Sequence, residues 1–290
     1  MFEPICAPHC GKRVYNSGVG QSAPHRGIGV EGVEGAEAGR EFVRVEYCKL
    51  SLAGNRPENQ DRVDVFANDE AVLMVVVDGM GGHAHGAKAA EVTVATLKEC
   101  FAESPVPVFD PQGFLTLALA RAHDRVVKLG KDVALDHKPR ATCAVCLVQD
   151  AGSYWAHVGD SRVYQLREGT IRERTRDHSH VELLLREGLI HEHELRGHPM
   201  RNFVECCLGG DAPLPDMSIT GRKKLSPGDV LLVCTDGVWS GVDDPDIAAI
   251  SAHNSESLER SVRSLGERAV ARNSPYSDNT SVAAVRWLGG

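Results

Sequence analysis

No stretch of the chain approaches the uninterrupted apolar length needed to cross a bilayer, and its first residues, MFEPICAPHCGKRV, lack the apolar core of a secretory leader. Excess base is also missing. Lys and Arg total 32 against 40 Asp and Glu, a formal net charge of -8, which argues against nucleic acid or an anionic membrane as partner. Nine cysteines are present, but not as a disulfide framework: the number is odd, and they fall in apolar runs (Cys143, Cys146, Cys234), as a neighbouring pair (Cys206, Cys207) or near the N-terminus. A soluble protein of a reducing cytoplasm is the expectation. Phosphate-cradling fingerprints are missing too, since Gly79-Met80-Gly81-Gly82 fits neither G-x-x-x-x-G-K-[ST] nor G-x-G-x-x-G.

What is there is a chain of 290 residues, 42% apolar and 25% charged, enough for one large core or two modest ones. Residues 1 to 45 stand apart. Eight glycines lie between Gly11 and Arg40 with little apolar periodicity, too little burial to offset the entropy of ordering, so a flexible extension is expected ahead of one domain over 46–290. Within the extension Cys6, His9 and Cys10 have the makings of half a zinc site, but no second ligand pair follows at suitable spacing.

From Cys48 onward the pattern becomes regular. Strand-length apolar runs rich in β-branched residues occupy 71–77, 141–148, 154–158, 230–235 and 280–287, and Cys48, Leu50 and Leu52 alternate like a half-buried strand. Helical spacing connects Leu115, Leu119, Ala122, Val126 and Leu129, and again Leu258, Val262, Leu265 and Ala269; a further helix after Gly82 would carry Ala90, Val94, Leu97 and Phe101 on one face. The strands come mostly in hairpin-like pairs, such as 162–166 and 170–174 across Glu168-Gly169. This predicts an α+β fold with antiparallel sheets.

The informative recurrence is an apolar strand running into Asp followed by a small or polar residue: VLMVVVDGMGG (Asp78), YWAHVGDSR (Asp160) and VLLVCTDGVW (Asp236), with Asp278 of YSDNTSVAAVRW just before a strand. Carboxylates gathered at the rim of a core are costly unless compensated. Hard divalent cations are the natural compensation, because Mg²⁺ and Mn²⁺ prefer oxygen ligands and no comparable set of His and Cys sits on these strands. Upstream, AGNRPENQDRV places Arg56 and Asp61 between two strands; a guanidinium there can orient an anionic phosphoryl group through a bidentate pair.

In this order and spacing, RPENQDR, DGMGGH, GDSR, TDG and SDN resemble the signature set of the metal-dependent protein phosphatases of the 2C type, bacterial branch, over residues 48 to 288. The stretch from Thr175 to Gly210 resembles the region after GDSR in bacterial members, including their mobile flap. The resemblance implies a four-layer α-β-β-α sandwich and hydrolysis of phosphoserine and phosphothreonine by a water activated at a pair of Mn²⁺ or Mg²⁺ ions. Asp78 would bridge the two ions and the Gly79 carbonyl would bind one of them. Asp236 and Asp278 would complete the other, and Asp160 with Asp236 would hold a third, weaker ion. Asp61 would hold metal-bound water and Arg56 the substrate phosphate. The partners implied are phosphorylated proteins and an opposing serine/threonine kinase, with a monomeric enzyme. Two positions depart from the pattern: Gln60 stands where the family often has Glu, and Met80 where eukaryotic relatives have the proposed acid His; His83 is not given that role.

Competing chemistries fit less well. H-E-x-x-H fails because position 195 is Leu and position 197 is Gly, which leaves His178, His180, His191, His193 and His198 to helix and flap surfaces. Cys143-Ala-Val-Cys146 has redox spacing, but on a strand its thiols face opposite ways, and no Cys is followed by five residues and Arg. A metal-binding scaffold without turnover, or a phosphatase for anti-sigma-factor antagonists, would use the same residues.

Overall fold

A computed structural model describes residues 10–13, 43–80, 84–134, 137–252 and 257–289. In chain order it runs β1 (Cys10–Arg13), β2 (Arg44–Leu52), β3 (Arg62–Ala67), β4 (Ala71–Val77), β5 (Gly79–Met80), α1 (Ala84–Glu103) and α2 (Pro111–Leu129). Five strands follow: β6 (Arg140–Ala141), β7 (Cys143–Gln149), β8 (Gly152–Val158), β9 (Arg162–Arg167) and β10 (Thr170–Arg174). After α3 (His180–Arg186) come β11 (Leu208–Gly209), β12 (Ser218–Ile219), β13 (Lys223–Lys224), β14 (Val230–Cys234), α4 (Asp236–Trp239), α5 (Asp244–Ala248), α6 (Leu258–Asn273) and β15 (Thr280–Gly289).

Among the described residues the strands form two large antiparallel sheets, ordered β1-β2-β15-β14-β9-β10 and β12-β8-β7-β4-β3 with β13 also on β8, and a small sheet β11-β6-β5. The alternation of side chains along each strand explains the layers. In β4, Val72, Met74 and Val76 meet Leu231 and Val233 of β14 between the sheets, while Leu73, Val75 and Val77 face Leu97 of α1 and Leu115 and Leu119 of α2. Val230, Leu232 and Cys234 of β14 point the other way, to Val262, Leu265 and Ala269 of α6. Two buried faces are why these strands read as unbroken apolar runs rather than alternating ones. The four-layer α-β-β-α arrangement is the one expected.

Helix ends follow from local chemistry. Asp110 caps α2 by accepting from the Gly113 amide at 3.0 Å, with Pro111 in the first turn, and Ser257 caps α6 by accepting from Arg260 at 3.3 Å. Leu115, Leu119, Ala122 and Val126 are buried as their spacing predicts, whereas Leu129, at the last turn, is exposed. Leu119→Ala should lower stability by about 2–5 kcal/mol, read as a reduced denaturant midpoint at unchanged slope, because the cavity opens between α2 and a rigid sheet.

Two expectations need correction. Cys10–Arg13, inside the segment expected to be loose, pairs with β2 (Cys10 opposite Cys48) at the sheet edge; Cys6, His9 and the rest of residues 1–42 lie outside the described residues, as do Gly81, Gly82 and His83. An edge strand offers unsatisfied backbone groups to any extended segment, whatever its composition. Second, His178 is not a surface histidine but half-buried in a hydrogen-bonded junction.

Candidate active site

Sheet register gathers the aspartates. β3 is antiparallel to β4 with Arg62 opposite Val77, so Asp61, just before β3, neighbours Asp78, just after β4. Cys234 at the end of β14 lies opposite Val282 of β15 and opposite Arg162 of β9, which brings Asp236, Asp278 and Asp160 to the same end of the other sheet. The two ends are tied together. Thr142 donates its amide to the Asp78 carbonyl at 2.9 Å, and its hydroxyl meets that of Ser161 at 2.7 Å.

The loop carrying Arg56 and Asp61 is stitched to the segment before β15, chiefly by Asn279. Asn279 accepts from the Gln60 amide (2.8 Å) and donates to the Ala53 and Glu58 carbonyls (2.9 and 3.0 Å), while Ser277 donates its hydroxyl to Asn55 at 2.7 Å. At the other strand end a Cβ on Gly79 would stand 2.1 Å from the Gly86 carbonyl oxygen and 2.9 Å from that of Gln60. Glycine therefore lets the first turn of α1 close over β5.

Burial first, and neighbouring negative charge second, raises the pKa of four of these carboxylates. Burial pushes Asp61 up to about 7, against the hydroxyl of Thr235, which donates to its Oδ2 at 2.8 Å; the Asp236 charge adds to the rise. Burial, then Asp278, pushes Asp236 up to about 6, with the Gly237 amide opposing. Asp78 is raised well above its usual range by burial and by the charges of Asp61, Asp236, Asp160 and Asp278, and Asp160 by burial and Asp236. Asp61 Oδ1 and Asp160 Oδ1 are buried without a hydrogen-bond partner. Asp278 instead meets Arg56, whose Nε and Nη2 donate to its two oxygens at 3.0 and 2.6 Å.

Among the described residues no three His, Cys, Asp or Glu already stand in mutual ligating contact. Asp278 is engaged by Arg56 rather than by the other carboxylates. The donor chemistry nonetheless fits a hard divalent cation: carboxylates and a backbone carbonyl, with two oxygens buried and unpartnered. A proton is the other remedy for such crowding, and the raised pKa values are that remedy.

Two clefts flank the rim. One of 670 Å³ is walled by Met80, Arg140, Phe203 and Cys206; the other, 970 Å³, lies over Trp239, one turn beyond Asp236, with Arg162, Arg174 and Arg176.

The family model for "Protein phosphatase 2C" matches residues 53–274, which span four of the five signature segments, the SDN just before β15 lying beyond them. The chain belongs to the protein phosphatase 2C family. Protein phosphatase PhpP of Streptococcus pneumoniae is 30% identical over 248 residues, covering 83% of this chain and 97% of that protein. Among solved structures, the serine/threonine phosphatase of S. agalactiae superposes with a TM-score of 0.76 at 29% identity, over 84% of this chain and 99% of that one. The catalytic domain of the serine/threonine phosphatase PstP, solved with two manganese ions, gives a TM-score of 0.70 at 26% identity, over 86% of this chain and all of that one (100%).

Within this phosphatase 2C chain, Asp61, Asp78, Asp160, Asp236, Asp278, Gly79 and Arg56 all come to the one rim. Sequence reasoning assigned no role to Thr235 or Asn279, although both stand inside quoted motifs. A hydroxyl before a strand-terminal Asp and an amide after one were the available signals. Trp239 was missed altogether: its indole donates to the Asp160 carbonyl at 3.0 Å and underlies the Arg162 guanidinium at 3.8 Å.

Proposed function

We propose that the protein is a serine/threonine protein phosphatase that removes phosphate from phosphoserine and phosphothreonine in proteins, at a centre of Mn²⁺ or Mg²⁺ held by Asp78, the Gly79 carbonyl, Asp160, Asp236 and Asp278. The observation that carries this reading is the acidic rim, five carboxylates from distant segments with two oxygens buried and unpaired. Such ions, when bound, supply Lewis acidity toward water and toward the phosphoryl oxygens, which is the larger share of what phosphate monoester hydrolysis requires.

The chain's own residues do the rest. Arg56 is placed to orient the phosphoryl group. Its pair with Asp278 is open to solvent, with side chains 56% and 38% exposed, and such pairs contribute about 1 kcal/mol or less. A dianionic phosphoryl group therefore competes well for the guanidinium. Asp61, anchored by Thr235, holds an oxygen toward the rim and orders water there. Met80 carries no titratable proton and so does not protonate the leaving alkoxide. Phosphorylated proteins imply a serine/threonine kinase that makes the substrate, and we read the enzyme as a cytoplasmic monomer.

The test is hydrolysis of p-nitrophenyl phosphate and of phosphoserine and phosphothreonine peptides with Mn²⁺. No turnover of any of them rules the reading out. Arg56→Ala should lower kcat/KM about 10- to 100-fold through loss of a charge-assisted bidentate contact, with Arg56→Lys restoring only part, since an ammonium cannot reproduce the fork. Equal rates for Lys and Arg would show that charge alone matters.

A further inference from the structure

The sequence Thr175-Arg-Asp-His-Ser-His180 leads from β10 into α3, and His178 is its most heavily engaged side chain. Its backbone amide donates to the Gly159 carbonyl at 2.9 Å, and its ring Nδ1 accepts from the Gly159 amide at 3.3 Å. A single residue thus grips both polar groups of Gly159. With Nδ1 accepting, the ring proton lies on Nε2, which donates to the Ser218 hydroxyl at 2.8 Å. Burial holds His178 below the usual histidine range, consistent with the uncharged ring this arrangement needs. One face of the ring stacks on His157 at 4.5 Å between centroids, and His157 in turn donates Nε2 to the Arg176 carbonyl at 2.7 Å.

Gly159 needs holding. Its φ is +94°, and a Cβ would stand 2.6 Å from Cγ2 of Thr142, the residue bonded to the Asp78 carbonyl. The next residue is Asp160, whose Oδ1 is buried and unpaired and whose carbonyl accepts from the Trp239 indole at 3.0 Å. Beyond Asp160 the same segment takes hold again: Arg162 donates Nε and Nη2 to Asp177 at 2.8 and 2.7 Å. The Asp160 turn is therefore bracketed by residues 177 and 178. Those residues also carry the segment around α3, since the His178 carbonyl accepts from Glu205 at 2.8 Å and Ser179 bridges to Val204.

We propose that His178 is a positioning residue, clamping Gly159 so that the Asp160 carboxylate is presented to the rim, and coupling that turn to the α3 segment. The inference rests on the phosphatase reading for its consequence, cation uptake at Asp160, but the clamp itself is a property of the chain.

The experiment uses the full chain and separates the two ring nitrogens. Asn places an amide oxygen where Nδ1 sits and Gln places one near Nε2, so His178→Asn can keep the hold on Gly159 while His178→Gln keeps only the Ser218 contact. The expected result is that His178→Gln and His178→Phe speed hydrogen exchange at the Gly159 amide by about 10-fold or more and weaken calorimetric Mn²⁺ uptake by about 10-fold, while His178→Asn stays near the parent. Ser218→Ala should leave Gly159 exchange nearly unchanged. Rescue by Gln rather than Asn, or a Ser218→Ala effect as large as that of Gln, overturns the proposal by assigning the role to Ser218. Fast Gly159 exchange, or an Nδ1-protonated His178 in ¹⁵N spectra, overturns it in the unaltered protein, whatever the variants do. Exchange is read without substrate, so absent turnover by the unaltered enzyme would sink the phosphatase reading and leave the clamp standing.

Discussion

Asp78→Asn should abolish phosphatase activity, by about 10³-fold or more, without destabilising the metal-free fold. The two halves come from the same geometry. Asp78 is the carboxylate that feels all four others, with burial as the leading cause of its raised pKa. As a ligand it would contribute to a centre whose charge stabilisation amounts to several kcal/mol, and about 1.4 kcal/mol is tenfold in rate. In the metal-free chain the same carboxylate is a liability, half-buried among like charges, and a neutral amide of equal size removes the repulsion. The thermal midpoint in EDTA should therefore hold or rise while turnover of p-nitrophenyl phosphate with Mn²⁺ disappears. A variant that loses activity only in proportion to a lost fold would make Asp78 a structural residue, and retention of activity would remove it from the centre.

Much of this arrangement could be read before any coordinates. β4 and β14 were visible because a layer buried on both faces must be apolar at every position, and α6 because Leu258, Val262, Leu265 and Ala269 repeat at the helical period. The Glu168-Gly169 hairpin was visible because two strand-length runs flank a dipeptide ending in Gly, and Gly169 takes its φ of +74° without steric cost. Even Cys143 and Cys146 part as strand alternation demands, one toward α1 and α2 and one between the sheets. Long-range register was not readable. That Arg62 lies opposite Val77, or that Arg56 meets an Asp 222 positions away, depends on which strands pair, and local sequence carries no such information. His178 was misjudged for a related reason: its neighbours in TRDHSH are all polar, so the segment reads as solvated, whereas its burial comes from β8 and β12 packing beside it. The β1 pairing was hidden in a glycine-rich context where propensity has nothing to say.

Removing divalent metal should abolish activity and also give the protein an unusual pH dependence, stability falling as pH rises through neutrality. Asp61 is pushed up to about 7 and Asp236 up to about 6, with Asp78 and Asp160 raised as well, all with burial as the first cause. Their folded pKa values lie above the unfolded ones, so the native state binds more protons than the unfolded state, and the slope of unfolding free energy against pH is negative. This is opposite to a salt-bridged Asp. His157, pushed down to about 4 by burial and by His178, works the other way, because its unfolded form takes up protons below about pH 6.5. The buried thiols Cys143, Cys146 and Cys234, raised by burial, add their own fall at higher pH. Between about pH 6.5 and about pH 7.5 the carboxylates dominate, Asp61 being about half titrated there, and each full proton the folded chain holds in excess costs about 1.4 kcal/mol of stability per pH unit. The thermal midpoint in EDTA should therefore fall across this window. Saturating Mn²⁺ should reverse the trend, since metal must displace these protons and so binds more tightly as pH rises, releasing protons measurable in buffers of different ionisation enthalpy. Asp78→Asn should flatten the EDTA curve. A midpoint that stays level or climbs in EDTA across this window, or Mn²⁺ uptake without proton release, would mean that the rim is already ionised and compensated by groups of the chain itself, and the case for a cation there would fail.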